Sequence, residues 1–324
     1  MVQSNRADRL VILGTGGTIA GRAVQAGDNV GYVAGQVGVS ELVAAVPALA
    51  GLPLEVEQVA QIDSKDMGLA VWQSLARRVA VQLERSDVQA VVITHGTDTL
   101  EETAFVLQRV LRPAKPVVLT CAMRPSTALV PDGPQNLVDA VAVARDEGAG
   151  GVVVVCAGQV HGADDVAKVH TYRLDAFDSG DAGPLACVEE GRVRTFRAWA
   201  RPPAGSTFDG AALERLLSAR ALPRVELIVS HADADGESVR ALLAHASAKS
   251  ALRGLVVAGT GNGTVHHALT AALNEAQARG IRVRLASRCA RGRVVPHAGL
   301  AFEDAGGLSP VKARLALALD LLAG

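Results

Sequence analysis

The sequence predicts an α/β protein of two domains. The larger N-terminal domain is expected to hold a doubly wound, mostly parallel sheet with flanking helices, and the smaller C-terminal domain a second α/β unit. Three observations carry this. Apolar runs of strand length alternate with helical patterns through the first half, which implies right-handed crossovers and a parallel sheet. A second alternation of the same kind begins near Val225. Between them, Ala200-Arg201-Pro202-Pro203-Ala204-Gly205-Ser206 is a linker by composition. The expected partition is residues 1–199, a linker over 200–220, and residues 221–324.

Leu10–Leu13, Val56–Val59, Ala90–Thr94, Val117–Thr120 and Gly151–Val155 read as buried strands, short and almost wholly apolar. After Asp66, the positions Leu69, Trp72, Leu75, Ala76, Val79 and Leu83 recur at helical spacing and give one apolar face. A helix is expected to start at Thr99, with Glu102 three residues on completing a capping box. In the second half, Val225–Val229, Leu255–Ala258 and Ile281–Leu285 read as strands. Helices fall between them at about Ser238–Ala246 and Val265–Ala278. The last helix begins with Ser309 as N-cap and Pro310 at its first position.

Composition bounds the function. The 324 residues are 49% hydrophobic and 20% charged, enough for a substantial core and against disorder. A net charge of −1 gives no reason to expect nucleic acid or an anionic membrane as a partner, and aromatic content of 3% offers no stacking platform for bases. Cys121, Cys156, Cys187 and Cys289 show no metal-ligand spacing, and neither metal nor cofactor is expected. Cys121 and Cys156 end apolar runs and read as buried thiols. No signal peptide is visible and no apolar run reaches the length of about 18 residues that a membrane span needs, so a cytoplasmic protein is expected unless a leader was removed.

The chemistry is written between strand and helix. In an open α/β sheet, ligands bind at the carboxyl ends of the strands. After the first strand comes Gly14-Thr15-Gly16-Gly17-Thr18-Ile19-Ala20-Gly21, where glycines permit positive φ and close backbone approach while Thr18 is presented to a small ligand. After the third comes His95-Gly96-Thr97-Asp98-Thr99, which offers a hydroxyl and a carboxylate. Two hydroxyls at strand ends, with Lys168 as a candidate base, are parts that nucleophilic catalysis requires. A lysine serves as a base only if its pKa is lowered, by burial for example. Each residue also has a plain structural reading. Thr18 could be an ordinary turn residue, Asp98 a helix cap, Lys168 a solvated surface lysine, Ser64 an N-cap, Tyr32 packing, and Asn262 part of a Gly-Asn-Gly turn.

Together, GTGGTIAG and THGTDTLEET resemble the bacterial L-asparaginase family of the type II kind. Other segments agree: Ile62-Asp63-Ser64-Lys65-Asp66-Met67, Ala122-Met123-Arg124-Pro125-Ser126, Asp132-Gly133-Pro134-Gln135-Asn136-Leu137, Asp165-Val166-Ala167-Lys168, Gly259-Thr260-Gly261-Asn262-Gly263, and Leu308 to Arg314. The likeness runs nearly end to end. It implies an L-asparagine amidohydrolase without cofactor, in which Thr18 attacks the side-chain amide carbon and forms an acyl-enzyme. Thr97, Asp98 and Lys168 match the family's second constellation. Asp98 is expected to grip the substrate ammonium, and Thr97 with backbone amides to serve the oxyanion and the water. Tyr32 lies in a glycine-rich segment, Gly21 to Gly38, that matches a lid. Ser64 matches the residue that binds the α-carboxylate, and Ala122 and Asn262 are substrate-binding positions by the same resemblance. A homotetramer, as a dimer of dimers, is the family norm. His95 is expected to serve backbone groups below the site.

The chain departs from the family in three places. Lys65 stands where glutamine is frequent, the stretch from Arg288 to Ala298 lacks the acidic residue that relatives place there, and no export leader is visible. The preference for asparagine over glutamine is therefore open, and a glutaminase-asparaginase is one alternative. A non-catalytic amino-acid sensor is another, against which stands the joint presence of Thr18, Thr97 and Lys168. Nucleotide binding fails because Ile19 breaks the GxGxxG spacing and no Gly-Lys-Ser/Thr follows. A tRNA-dependent amidotransferase subunit lacks support from any basic excess.

Overall fold

The structure is a computed structural model that describes residues 8–25, 27–200, 210–245 and 251–323. It separates into two compact units, Met1–Leu213 and Glu214–Gly324. In chain order the first unit runs β1 (Arg9–Gly16), a hairpin of β2 (Arg22–Ala23) and β3 (Tyr32–Val33), α1 (Val39–Ala44), β4 (Leu54–Ile62), α2 (Leu69–Glu84), β5 (Val88–Thr94), α3 (Leu100–Leu111), β6 (Val117–Thr120), α4 (Gly133–Arg145), β7 (Val152–Cys156), β8 (Gln159–Gly162), a hairpin of β9 (Ala167–Lys168) and β10 (Phe177–Asp178), then β11 (Ala186–Glu189) and β12 (Arg192–Thr195). After α5 (Gly210–Ser218), the second unit continues with β13 (Arg224–Val229), α6 (Glu237–Ala244), β14 (Leu252–Gly259), α7 (His267–Ala278), β15 (Arg282–Ser287), β16 (Glu303–Asp304) and α8 (Pro310–Leu322).

Eight strands form the first sheet in the order β12-β11-β8-β7-β6-β5-β1-β4. The half from β4 to β7 is parallel, as expected; β4 is its half-buried edge, and β1, β5, β6 and β7 are buried on both faces. Leu10, Ile12, Ala90, Val92 and Val118 join Leu137, Ala140 and Val141 of α4 in one buried cluster. The intervening Val11, Leu13, Val91 and Ile93 are equally buried and point the other way, since side chains alternate along a strand. The other three strands, β8, β11 and β12, pair antiparallel and were not read from the sequence. The second unit is a parallel sheet of order β13-β14-β15-β16. Its core gathers Leu255, Val257 and Leu285 with Leu269, Ala272 and Leu273 of α7.

Several local expectations are corrected. Thr99 does occupy the N-cap of α3, but its side chain makes no capping bond there; its hydroxyl donates instead to the Ser64 carbonyl at 2.7 Å. The capping box gives way to a tie between two strand-end loops. On α2, Trp72, Leu75, Ala76 and Val79 are buried as expected, while Gln82 is buried where Leu83 was expected and Leu83 is half-buried. The carboxamide of Gln82 accepts from Arg85 at 2.8 Å, which satisfies a polar group at that depth. The proline-rich part of the segment read as a linker, residues 201–209, lies outside the described residues, and residues 210–218 of it form α5. The final helix is capped as predicted, with Ser309 Oγ accepting from the Lys312 N–H.

Candidate active site

β1 and β5 are neighbours in register, with Leu13 beside Ile93 and Gly14 beside Thr94. Their loops therefore leave the same sheet edge side by side. Gly16 and Gly17 have φ of 103° and 81°, a backbone that glycine alone adopts without cost. A Cβ on Gly17 would overlap the Gly96 backbone, and one on Gly96 would strike the Ser64 side chain. Glycine at both positions lets three loops close to van der Waals contact. The Gly17 N–H then donates to the Ile62 carbonyl at 2.9 Å, and Thr15 Oγ1 donates to the Thr94 carbonyl at 2.9 Å.

This packing presents Thr18 and Thr97, both nearly buried at 6% exposure, at the strand ends. Each has a distinct partner. Thr18 Oγ1 shares a 2.6 Å hydrogen bond with Tyr32 Oη. Tyr32 is carried on β3, whose pairing with β2 sets it opposite Ala23. The hairpin is stitched to the loop after β6: Ser126 donates twice to the Gly21 carbonyl, and the Ala23 N–H donates to Thr127 Oγ1 at 2.9 Å. Within the hairpin, Asp28 accepts from the N–H groups of Gly31 and Val30, and these bonds hold its carboxyl below the usual range. Ser126, Thr127 and Asp28 were not among the predicted functional residues, although Ser126 ends one of the segments that carry the resemblance.

Thr97 is paired with charge. Lys168 Nζ donates to Thr97 Oγ1 at 2.8 Å and to Asp98 Oδ1 at 2.6 Å. The lysine side chain is one-fifth exposed and the aspartate half-exposed, so the pair faces the open side of the site. Asp98 is thus not the cap of α3. Ser64 is buried, and its Oγ accepts from the Asp98 N–H at 3.2 Å, an arrangement that keeps the hydroxyl hydrogen for an incoming acceptor. The N-cap of the short turn Ser64–Asp66 is Asp63 rather than Ser64. Lys65 is exposed and bonded to both Asp63 and Asp66, two carboxylates that raise its pKa and occupy its charge.

Ala122 is wholly buried beside Ile19 and Ala20, next to the Thr18 turn. Its loop is fixed by Asp132, which accepts from the N–H groups of Met123 and Arg124. His95 is fully buried; its ring N–H donates to the Gly96 carbonyl at 2.7 Å, and desolvation lowers its pKa to about 4. It is a neutral strut under the Thr97 loop, as expected. Cys121 and Cys156 are buried, and the contact between them with loss of water pushes the Cys121 thiol well up, toward an inert form. No cluster of potential metal ligands occurs among the described residues.

Thr18 with Tyr32, and Ser64 with Thr97, Asp98 and Lys168, are thus drawn together within the first unit. Asn262 belongs to the second. There its carboxamide accepts from the Val295 N–H at 2.7 Å and donates to the Val295 carbonyl at 3.2 Å, bracing the loop after β15. Glu303 forms ion pairs with Arg284 and Arg282.

Residues 9–201 match the family model described as asparaginase, N-terminal, and residues 224–324 match the glutaminase/asparaginase C-terminal domain. The chain is 38% identical to the glutaminase-asparaginase of Pseudomonas fluorescens biotype A over 94% of its own length and 84% of that protein. It is 37% identical to L-asparaginase 2 of Escherichia coli K12, over 96% of this chain and 88% of that one. A crystal structure described as a probable cytoplasmic L-asparaginase from Campylobacter jejuni superposes with a TM-score of 0.86 at 37% identity, covering 98% of this chain and 96% of that one.

Proposed function

The chain belongs to the bacterial type II asparaginase family and is an amidohydrolase, and on that premise we propose that it hydrolyses the side-chain amide of L-asparagine to L-aspartate and ammonia with Thr18 as nucleophile. The observation that carries the assignment of Thr18 is its 2.6 Å bond to Tyr32 in a buried turn whose backbone admits only glycine on its N-terminal side.

Thr18 Oγ1 attacks the amide carbon, the carbonyl becomes an oxyanion, and collapse of the tetrahedral intermediate releases ammonia and leaves an ester on Thr18. Water then attacks that ester, releases aspartate and restores the hydroxyl. Tyr32 Oη orients the Thr18 oxygen. Thr97, bonded to Lys168, serves the oxyanion and the attacking water in this reading. Asp98 has one oxygen on Lys168, and its other oxygen is suited to the substrate ammonium. The Ser64 hydroxyl is suited to the α-carboxylate, and Ala122 and Asn262 are carried as substrate-binding positions by the resemblance. No metal or cofactor has a part in this sequence.

A homotetramer in the cytoplasm is the accompanying reading, supported for the oligomer by the family norm and for the compartment by the similarity to a probable cytoplasmic L-asparaginase of Campylobacter jejuni. Use of L-glutamine is the second reading for the substrate, supported by the similarity to the Pseudomonas glutaminase-asparaginase and by the absence of an acid from Arg288 to Ala298. Ammonia release from L-asparagine and L-glutamine, measured in parallel, tests both. The expected result is faster release from asparagine. Binding of asparagine by calorimetry without release from either amide would replace the enzyme by a sensor.

A further inference from the structure

We propose that Glu101 is a positioning residue that holds Lys168 against Thr97 and Asp98. The inference rests on the role given to Lys168 above. Lys168 sits on β9, a strand of two residues that, among the described residues, pairs with β10 alone. A two-stranded ribbon this short does not hold its own position in water. The Val169 N–H donates to the Ala176 carbonyl at 2.8 Å. Neighbouring N–H groups on an antiparallel strand point to opposite sides, so that of Lys168 faces away from β10. There it donates to Glu101 Oε2 at 3.2 Å.

Glu101 stands in the first turn of α3, three residues after Asp98. The segment from Thr97 to Glu101 therefore grips one residue at two ends. Its threonine and aspartate take the ammonium, and its glutamate takes the backbone from which the side chain springs. A lysine has a flexible four-carbon stem, so fixing the ammonium alone leaves the root of the chain free to move. An acidic residue in a first helical turn has a general reason to be there, because the helix dipole favours negative charge. Glu102 satisfies that reason equally. The bond to the Lys168 N–H is what distinguishes Glu101.

Two conservative variants separate position from charge. Glu101→Gln keeps a carbonyl acceptor at full reach and loses the charge. Glu101→Asp keeps the charge and withdraws the acceptor by one methylene. Rates of ammonia release from L-asparagine are measured for both, together with wild type and Lys168→Met. If Glu101 positions Lys168, Glu101→Gln stays within about threefold of wild-type kcat and Glu101→Asp falls about tenfold to a hundredfold, with KM changed by less than about twofold, the scale expected when a catalytic group shifts by about an ångström. In the Lys168→Met background, Glu101→Asp costs nothing further, because no ammonium remains to be placed. Wild-type kcat for Glu101→Asp, or the reverse order of the two variants, overturns the inference. So does an undiminished loss in the Lys168→Met background. If Lys168→Met itself keeps the wild-type rate, the role of Lys168 falls instead, a separate result.

Discussion

The loops after β1 and β5 start from one frame and end in different chemistry. Both leave buried parallel strands at the same sheet edge, both turn through glycine, and both place a nearly buried threonine above it. Thr18 is met by a phenol from a hairpin held by Ser126 and Thr127. Thr97 is met by an ammonium that is itself paired with a carboxylate. A hydroxyl beside a phenol is oriented and kept out of water, which suits attack. A hydroxyl in a charged chain is polarised and lies beside the groups proposed to bind a zwitterionic substrate. On the proposed mechanism, the first turn makes the bond and the second handles charge.

Substitutions can break this contrast, and their effects should scale with it. Thr18→Ala is expected to lower kcat roughly a thousandfold or more while leaving the thermal midpoint within a few degrees. Lys168→Met should cost on the order of a hundredfold to a thousandfold in kcat, read in the same ammonia assay. A near-normal rate in Lys168→Met would remove the charged side from the mechanism. Tyr32→Phe removes one hydroxyl and keeps the ring, and a fall of about tenfold to a hundredfold is expected, mostly in kcat. If Tyr32→Phe raised KM alone, the phenol would be a substrate contact and the contrast between the two loops would weaken.

Stability sharpens the same comparison. Gly17→Ala forces a side chain into the Gly96 backbone at a φ of 81°, and calorimetric unfolding should show a loss of about 2 kcal/mol or more. His95, which lies under Thr97, gives the loop after β5 a pH dependence of its own. Its pKa falls from 6.5 to about 4 on folding, through desolvation. The unfolded chain therefore binds a proton that the folded one refuses. The stability from this group is complete above about pH 6.5 and is lost as pH falls toward 4, by about 3 kcal/mol in all. Urea midpoints for wild type and His95→Asn between those limits should diverge, with the steeper slope in wild type. Parallel slopes would show that His95 does not carry the effect.

Much of this was legible in particular stretches of sequence. Val117–Thr120 is a strand at the very residues its apolar run marks, because a strand buried on both faces has no polar position to blur it. Gln159-Val160-His161-Gly162 is a strand of the same length, but it is half polar, and its neighbours in the sheet make it one. In the same way Thr18 and Thr97 stand out as hydroxyls at strand ends. Lys168 stands out less, since a two-residue strand has no periodicity to mark its place. The Thr99–Glu102 spacing fits a capping box, yet the tertiary contact with Ser64 takes the Thr99 hydroxyl. Glu101 looked like any first-turn acid. What escaped the sequence in each case is a partner distant along the chain.

The central claim is that Thr18 supplies the attacking oxygen. Ammonia release from L-asparagine by Thr18→Ala and Thr18→Ser, beside wild type, tests it most directly. Serine keeps the hydroxyl and loses only the methyl. The account predicts no turnover from the alanine variant and a measurable fraction of the wild-type rate from the serine variant. Turnover by Thr18→Ala near the wild-type rate would contradict it and move the nucleophile elsewhere, with Thr97 the first residue to examine.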